Sequence, residues 1–392
     1  MISKKVKKKN LATENSSLTK KVICFSDVHL GHPRTSTPFI ISNIRSNIHY
    51  YIEKEKPDVV FIAGDLLDRL LNFPDSHVSN ILGWMNDFLL LCLKYNVSIR
   101  VLEGTPSHDW KQSKIMLDIA TRINKDIDIK YHDTVTVEYI EKIGMNVLFV
   151  PDEWGITSSY TLNYVKSLLE SLGLVKVDLA IMHGMFDYQV VSLPNAPFMK
   201  AVHDSQEYLN LVNRYICIGH VHTFSFHDRI IAEGSFDRLA HGEEEAKGFV
   251  ALHLENDLKD DRFYFIENKG AKIYHSISLK GNDLAKSMKQ IDNAIKKLPE
   301  DSHIRIIMKK DHPVNSIWDK TYASNMQFNF SKKIIDKAES VIKDEKQTDF
   351  SYSGIHIDHT NICDLVKEKL NRNSEIEVKT KTRALELLET FI

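Results

Sequence analysis

Short apolar runs, each too brief for a helix and each leading to Asp or His, recur along the first 222 residues of this chain. Val22-Ile23-Cys24-Phe25 leads to Asp27-Val28-His29, and Val59-Val60-Phe61-Ile62 leads to Gly64-Asp65-Leu66-Leu67-Asp68. Val97 to Leu102 leads to Ser107-His108-Asp109. Leu179-Ala180-Ile181-Met182 leads to His183-Gly184, and Tyr215-Ile216-Cys217-Ile218 to Gly219-His220-Val221-His222. Continuous β-branched runs of this length read as strands covered on both faces. Helical stretches separate the early ones: Pro38 to Lys56, closed by Pro57, and the apolar stretch His77 to Tyr95. The alternation predicts an α/β chain whose sheets lie under helices.

The second half is richer in strands. Thr134 to Tyr139 and Met145 to Val150 pair around a turn at Gly144, and a helix follows from Thr161 to Leu172. Ile230 to Ala232, Phe249 to Leu254 and Phe263 to Ile266 add further strands, which predicts a two-sheet sandwich with outer helices. Composition shifts near Asn268-Lys269-Gly270. Ile273, Ile277 and Leu279 mark a strand, and Asn282 is placed to cap a helix carrying Leu284, Met288, Ile291, Ile295 and Leu298 on one face. Pro299 ends that helix before the strand Ile304 to Met308, giving a small βαβ unit. The expected division is a disordered basic tail at 1–20, a main α/β domain at 21–268, the βαβ unit at 269–312, and a linker with C-terminal helices at 313–392. Ile362, Leu365, Val366 and Leu370 form one apolar stripe in that last part, and Leu385, Leu388 and Ile392 another. Helices this short bury their faces either on the rest of the chain or on a partner.

Bulk properties exclude several classes. Net charge is −2, so no overall basic field points to nucleic acid, although one basic face fits within a neutral total. Cys24, Cys92, Cys217 and Cys363 include no CxxC pair and read as reduced thiols of a cytoplasmic protein. The lysine-rich N-terminus has no apolar segment after it, which argues against a secretory signal. No run reaches the roughly 18 apolar residues that a membrane span needs.

The Asp and His residues stand where strands end, the side of an α/β sheet that binds ligands. Carboxylates and imidazoles together suit Mn, Fe or Zn ions. Two such ions roughly 3.5–4 Å apart neutralise a phosphate ester and acidify a water, which is what its hydrolysis requires.

The five motifs resemble those of the calcineurin-like metallophosphoesterases, D-x-H, G-D-x-x-D, G-N-H-D/E, H and G-H-x-H. Asp27-Val28-His29-Leu30-Gly31 resembles the SbcD-type nucleases among them. So does the run from Gly234-Ser235-Phe236-Asp237-Arg238-Leu239 through Gly242-Glu243-Glu244 to Lys247-Gly248-Phe249. The resemblance implies a metallophosphoesterase two-sheet sandwich with a small capping domain. It implies that Asp27, His29 and His222 hold a first metal, that Asp65 bridges, and that His183 and His220 hold a second. His108 would contact the scissile phosphate, Asp109 would orient His108, and Asp68 would tie down its loop. One position departs from the pattern: Ser107 stands where the family has its Asn ligand. Either Ser107 binds directly, or water fills the gap, or Thr105 reaches in.

The activity so implied is a manganese-dependent DNA exo- or endonuclease for double-strand-break processing. It would work as a homodimer with an SbcC-type ATPase on the C-terminal helices, in the cytoplasm, or the host cytoplasm for a phage protein. The chain has no G-x-x-x-x-G-K-S/T segment of its own, so ATP use would belong to the partner. Arg69, Arg238 and Lys247 lie near the motifs and either face a phosphate backbone or form ordinary ion pairs. The competing readings are a stand-alone phosphodiesterase or phosphatase for small substrates, and a DNA-end-binding scaffold with a weakened second metal site.

Overall fold

The strand-like runs pair into two six-stranded sheets. They are seen in a computed structural model that describes residues 19–152, 156–190 and 202–335. Nearly all of the basic tail and both expected C-terminal helices lie outside those residues. In chain order the strands are β1 (Lys20–Phe25), β2 (Val59–Ala63), β3 (Ser98–Leu102), β4 (Ile129–His132), β5 (Thr136–Ile140), β6 (Met145–Val150) and β7 (Leu179–His183). They continue with β8 (Met185–Phe186), β9 (Val202–His203), β10 (Ile216–Gly219), β11 (Ser225–His227), β12 (Ile230–Ala232), β13 (Gly248–Leu254) and β14 (Arg262–Glu267). The first sheet runs β14-β13-β1-β2-β3-β4 and the second β11-β12-β10-β7-β6-β5.

Alternation along the strands sorts the side chains into layers. On the first sheet Val22, Cys24, Val59, Phe61 and Ala63 face inward, against Val147, Phe149, Leu179, Ile181, Cys217 and Ile231 of the second. Ile23, Phe25, Val60, Ile62, Ile99 and Val101 point the other way, under Thr37–Ile44 and Ser76–Lys94. Leu148, Val150, Ala180, Met182, Ile216 and Ile218 face Ser158–Ser171 and Ser205–Leu211. The fold is the expected α/β one: two sheets back to back, with helices outside. The first helical stretch passes through a π-turn at Arg45–His49 before Tyr50–Glu55 and ends short of Pro57. No described helix is long and apolar enough to cross a membrane.

One ion network crosses between the sheets. Arg100 on β3, 3% exposed, donates from Nε and Nη2 to the carboxylate of Glu138 on β5, each at 2.8 Å. Lys130 Nζ (2.8 Å) and His132 Nε2 (3.3 Å) face the same carboxylate. Burial alone would raise the Glu138 pKa; the bonds from His132, Arg100 and Lys130 outweigh it and hold it at about 2. The folded value lies below the unfolded one, so the stabilisation is complete above about pH 4.5 and is lost as the pH falls towards 2. Glu138→Gln is therefore expected to cost about 3 kcal/mol at pH 7 and progressively less below pH 4.5. Urea melts at both ends of that range check it; a deficit that does not change with pH would contradict it.

β8 and β9 pair only with each other, and past Asn268 the chain forms a further, all-parallel sheet of β15 (Tyr274–Ser278), β16 (His303–Lys309) and β17 (Asn329–Ile335). The helix Leu284–Ile295 is capped by Asp283, not Asn282: the Asp283 carboxylate accepts from Lys286 N at 2.9 Å. The unit also extends beyond residue 312. Its core takes Val314, Trp318, Tyr322 and Phe328 from a stretch that looks like polar linker because its apolar residues follow neither a helical nor a strand period for long.

Candidate metal centre

Parallel strands of the two sheets end at one place. Asp27 follows β1, Asp65 follows β2 and Thr105 follows β3; His183 ends β7 and His220 follows β10. Hydrogen bonds stitch the two sets of ends together. His183 Nδ1 donates to Ala63 O (2.8 Å), and His220 N donates to Asp27 Oδ1 (3.0 Å) and Oδ2 (2.9 Å). The approach is close enough to exclude side chains. A Cβ on Gly64, whose φ is +87°, would lie 2.3 Å from His183 Nδ1, and one on Gly104 would lie 2.1 Å from Asp65 N. Asp27, His29, Asp65 and His220 themselves adopt left-handed φ values of +50°, +52°, +50° and +99°. Such residues cost of order 1–3 kcal/mol each and persist where the surroundings fix them, commonly at functional sites.

Six of the expected ligands gather into two groups, each with two buried members and one half-buried one, that could each hold a metal ion: Asp27–His29–His222 and Asp65–His183–His220. Asp65 spans both: Oδ1 lies 3.3 Å from His183 Nε2, and Oδ2 lies 3.8 Å from His29 Nε2. His29 Nε2 and His222 Nε2 face each other at 3.1 Å. Two ring nitrogens aimed at one point suit a shared cation. A further buried or half-buried group, His29–Asp68–His108, adjoins the first.

Ser107 is not brought to either group; it is exposed on the short helical turn Pro106–Asp109. Thr105 takes the place instead. Its hydroxyl lies 3.2 Å from Asp65 Oδ2, from His183 Nε2 and from His220 Nδ1. The cause is local. Pro106 starts the turn, so Thr105 is its N-cap and Ser107 points outward from within it. The Thr105 hydroxyl makes no cap bond and faces the cluster. Thr105→Ala is expected to lower divalent-ion affinity about tenfold or more, and Ser107→Ala to leave it unchanged, by calorimetric titration. The reverse order would assign the ligand to Ser107.

Charge in the cluster supports a cation there. Burial works against charged His29 and His183. Asp68, Asp65 and Asp27 outweigh it for His29, and mainly Asp65 does for His183, raising them to about 9 and about 10. The same contacts, led by His183, hold Asp65 well below the usual carboxylate range against its burial. A bound divalent ion would take over the positive charge that these protons supply.

Other groups orient the ligands. Asp68 Oδ1 lies 3.3 Å from His29 Nδ1, so Asp68 faces a ligand and does more than tie its loop. His222 Nδ1 donates to Glu243 Oε1 (2.8 Å), and buried Lys247 Nζ donates to His222 O (2.7 Å). The Gly234–Phe249 segment thus braces the loop that carries His220 and His222. Arg238 donates to the carbonyls of Glu245 and Ala271, and Arg69 reaches Gly31 O and Asp75, so both are engaged within the chain. Asp109 does not bond to His108. It is fully buried and accepts from Leu67 N and Gly104 N, each at 2.9 Å, joining the loops after β2 and β3. His108 Nδ1 instead donates to Asp68 O at 2.7 Å, and burial lowers its pKa. Thr105 is one of the three alternatives at the Ser107 position, whereas Glu243 is a neighbour of the cluster to which the motifs assign no role. Glu243 lay within a quoted segment, but its target His222 is 21 residues away.

No family model matches the chain. It is similar to the solved structure of TT1561 of Thermus thermophilus at 9% identity and a TM-score of 0.38, over 63% of this chain and 99% of that one. Another solved chain gives 14% identity and a TM-score of 0.39, over 63% of this chain and 98% of its own. Likenesses of that size carry no argument about function.

Proposed function

We propose that this chain is a metal-dependent phosphodiesterase of the calcineurin-like kind, acting on DNA as an SbcD-type nuclease with two manganese ions. The observation that carries the reading is Asp65, whose two oxygens each face a separate His/Asp group. Asp27, His29, His222 and Asp65 would hold one ion; Asp65, His183, His220 and Thr105 would hold the other. When bound, a pair of divalent ions neutralises the phosphate and lowers the pKa of water.

The chain's own residues would supply the rest. His108 stands beside the first group, its ring 4.9 Å from that of His29. Its Nδ1 is committed to the Asp68 carbonyl, so Nε2 is the nitrogen that would meet a phosphate or leaving oxygen. An anionic phosphate there would counter the burial that lowers the His108 pKa and favour a proton on Nε2. Glu243 and Lys247 hold the His222 loop, and Asp109 holds the two loops that carry Asp65 and His108. DNA as substrate, a homodimer and an ATPase partner enter through the motif resemblance.

A nuclease assay on end-labelled duplex DNA tests the reading, with Mn²⁺ or Mg²⁺ and with or without co-purified partner. Manganese-dependent release of label is the expected result. Hydrolysis of bis-p-nitrophenyl phosphate or cyclic nucleotides with intact DNA would favour the small-substrate reading. Hydrolysis of neither class would favour a binding scaffold.

A further inference from the structure

A second cluster of metal-ligating side chains lies in the core and plays no part in the chemistry above. Cys24 stands on β1 and Cys217 on β10, so each sheet contributes one thiol to the inter-sheet core. Glu233 directly follows β12, the neighbour of β10. The two sulfurs and a Glu233 oxygen lie within 4.8 Å of one another. All three residues are buried, at 0%, 1% and 0% exposure. Apart from the two thiols and its own backbone N–H, Glu233 has no hydrogen-bond partner among the described residues.

A carboxyl group in such a place is costly unless something compensates it. The thiols belong to an apolar cluster with Val22, Ala63, Ile181, Ile231 and Val250, whose side chains offer no donor. Hydrophobic side chains would fill this core at no such cost, and on the same strands they do. Two thiols and a carboxylate converging from three strands form instead a donor set for a thiophilic ion.

We propose that Cys24, Cys217 and Glu233 form a third cation site, selective for a thiophilic divalent ion such as Zn²⁺, which clips the two sheets together. Binding is acid–base chemistry without oxidation: each thiol passes its proton to solvent and binds as thiolate, and Glu233 binds as carboxylate. Burial pushes Glu233 up to about 7 and raises the Cys24 thiol, so an ion must displace protons to enter. Three protein donors would fill three of the four tetrahedral positions of zinc. The donor chemistry separates this site from the Asp/His groups, which contain no sulfur. Because the ligands are closed off from solvent, loading belongs to folding and exchange afterwards is slow.

The test is spectroscopic and does not depend on the nuclease reading. The full chain is produced with Co²⁺ in place of zinc, and its near-ultraviolet spectrum is recorded. Thiolate-to-cobalt charge-transfer absorption is expected in the wild type and in Asp65→Asn, and its loss in Cys24→Ala and Cys217→Ala. With zinc, the wild type should retain about one ion per chain more than either cysteine variant after treatment with a chelator, and Glu233→Gln should lose that ion. A wild-type protein that takes up cobalt without a thiolate band overturns the proposal, and it does so even if the variants fail to fold. An intact mass lower by two hydrogens, the signature of a Cys24–Cys217 disulfide, also overturns it.

Discussion

Asp65→Asn protein is expected to keep its fold, lose most of its bound divalent metal, and hydrolyse DNA at least about 10³-fold more slowly. The magnitude is the several kcal/mol that a bridging pair of Lewis acids contributes to a phosphoryl-transfer transition state. An amide keeps the shape, and one oxygen still accepts from Thr105 N, which bonds Asp65 Oδ1 at 2.5 Å. What it loses is the charge, and the second oxygen facing the other group. The negative charge that draws protons onto His29 and His183 goes with it. Metal content by mass spectrometry, circular dichroism and the rate on labelled duplex separate the effects. A variant that binds and cleaves like the parent would remove Asp65 from the bridging role.

The second large effect is expected at His108. His108→Gln should retain its metal, because neither Asp/His group takes a ligand atom from it, yet slow hydrolysis by about 10²–10⁴-fold. Glutamine is able to accept or donate a hydrogen bond but cannot carry a proton to a leaving oxygen. A substrate whose leaving group is already a good one, such as p-nitrophenolate, should be much less affected. Equal losses on good and poor leaving groups would make His108 a binding residue. Loss of metal would make it a ligand, through the His29–Asp68–His108 group.

The sandwich was legible because its strands are uninterrupted apolar runs. Val59 to Ala63 is buried at every position, and nothing but a strand covered on both faces accommodates such a run at that length. Asp27, His29, Asp65, His183, His220 and His222 were legible for the same reason: each stands where such a run stops. Ile129–His132 and Asn329–Ile335 were not, since as half-buried edge strands they carry polar residues on one face. The loop at 104–109 was misread at side-chain level. His108 and Asp109 are adjacent in sequence, but within a helical turn adjacent residues diverge, so one faces the cluster and the other the core. The same geometry exchanges Ser107 for Thr105.

Neither sheet carries a complete ligand set. Asp27 and His29 belong to the first sheet and their companion His222 to the second; Asp65 belongs to the first and His183 and His220 to the second. A half-folded chain therefore lacks part of each set, and any ion these groups hold binds the finished sandwich more tightly than either half. By mass action, such an ion stabilises the native state by about 2.7 kcal/mol at a hundredfold excess over its dissociation constant. The lifetime of this protein in a cell would then follow the free concentration of the ion, with metal starvation removing the molecule itself as well as its chemistry.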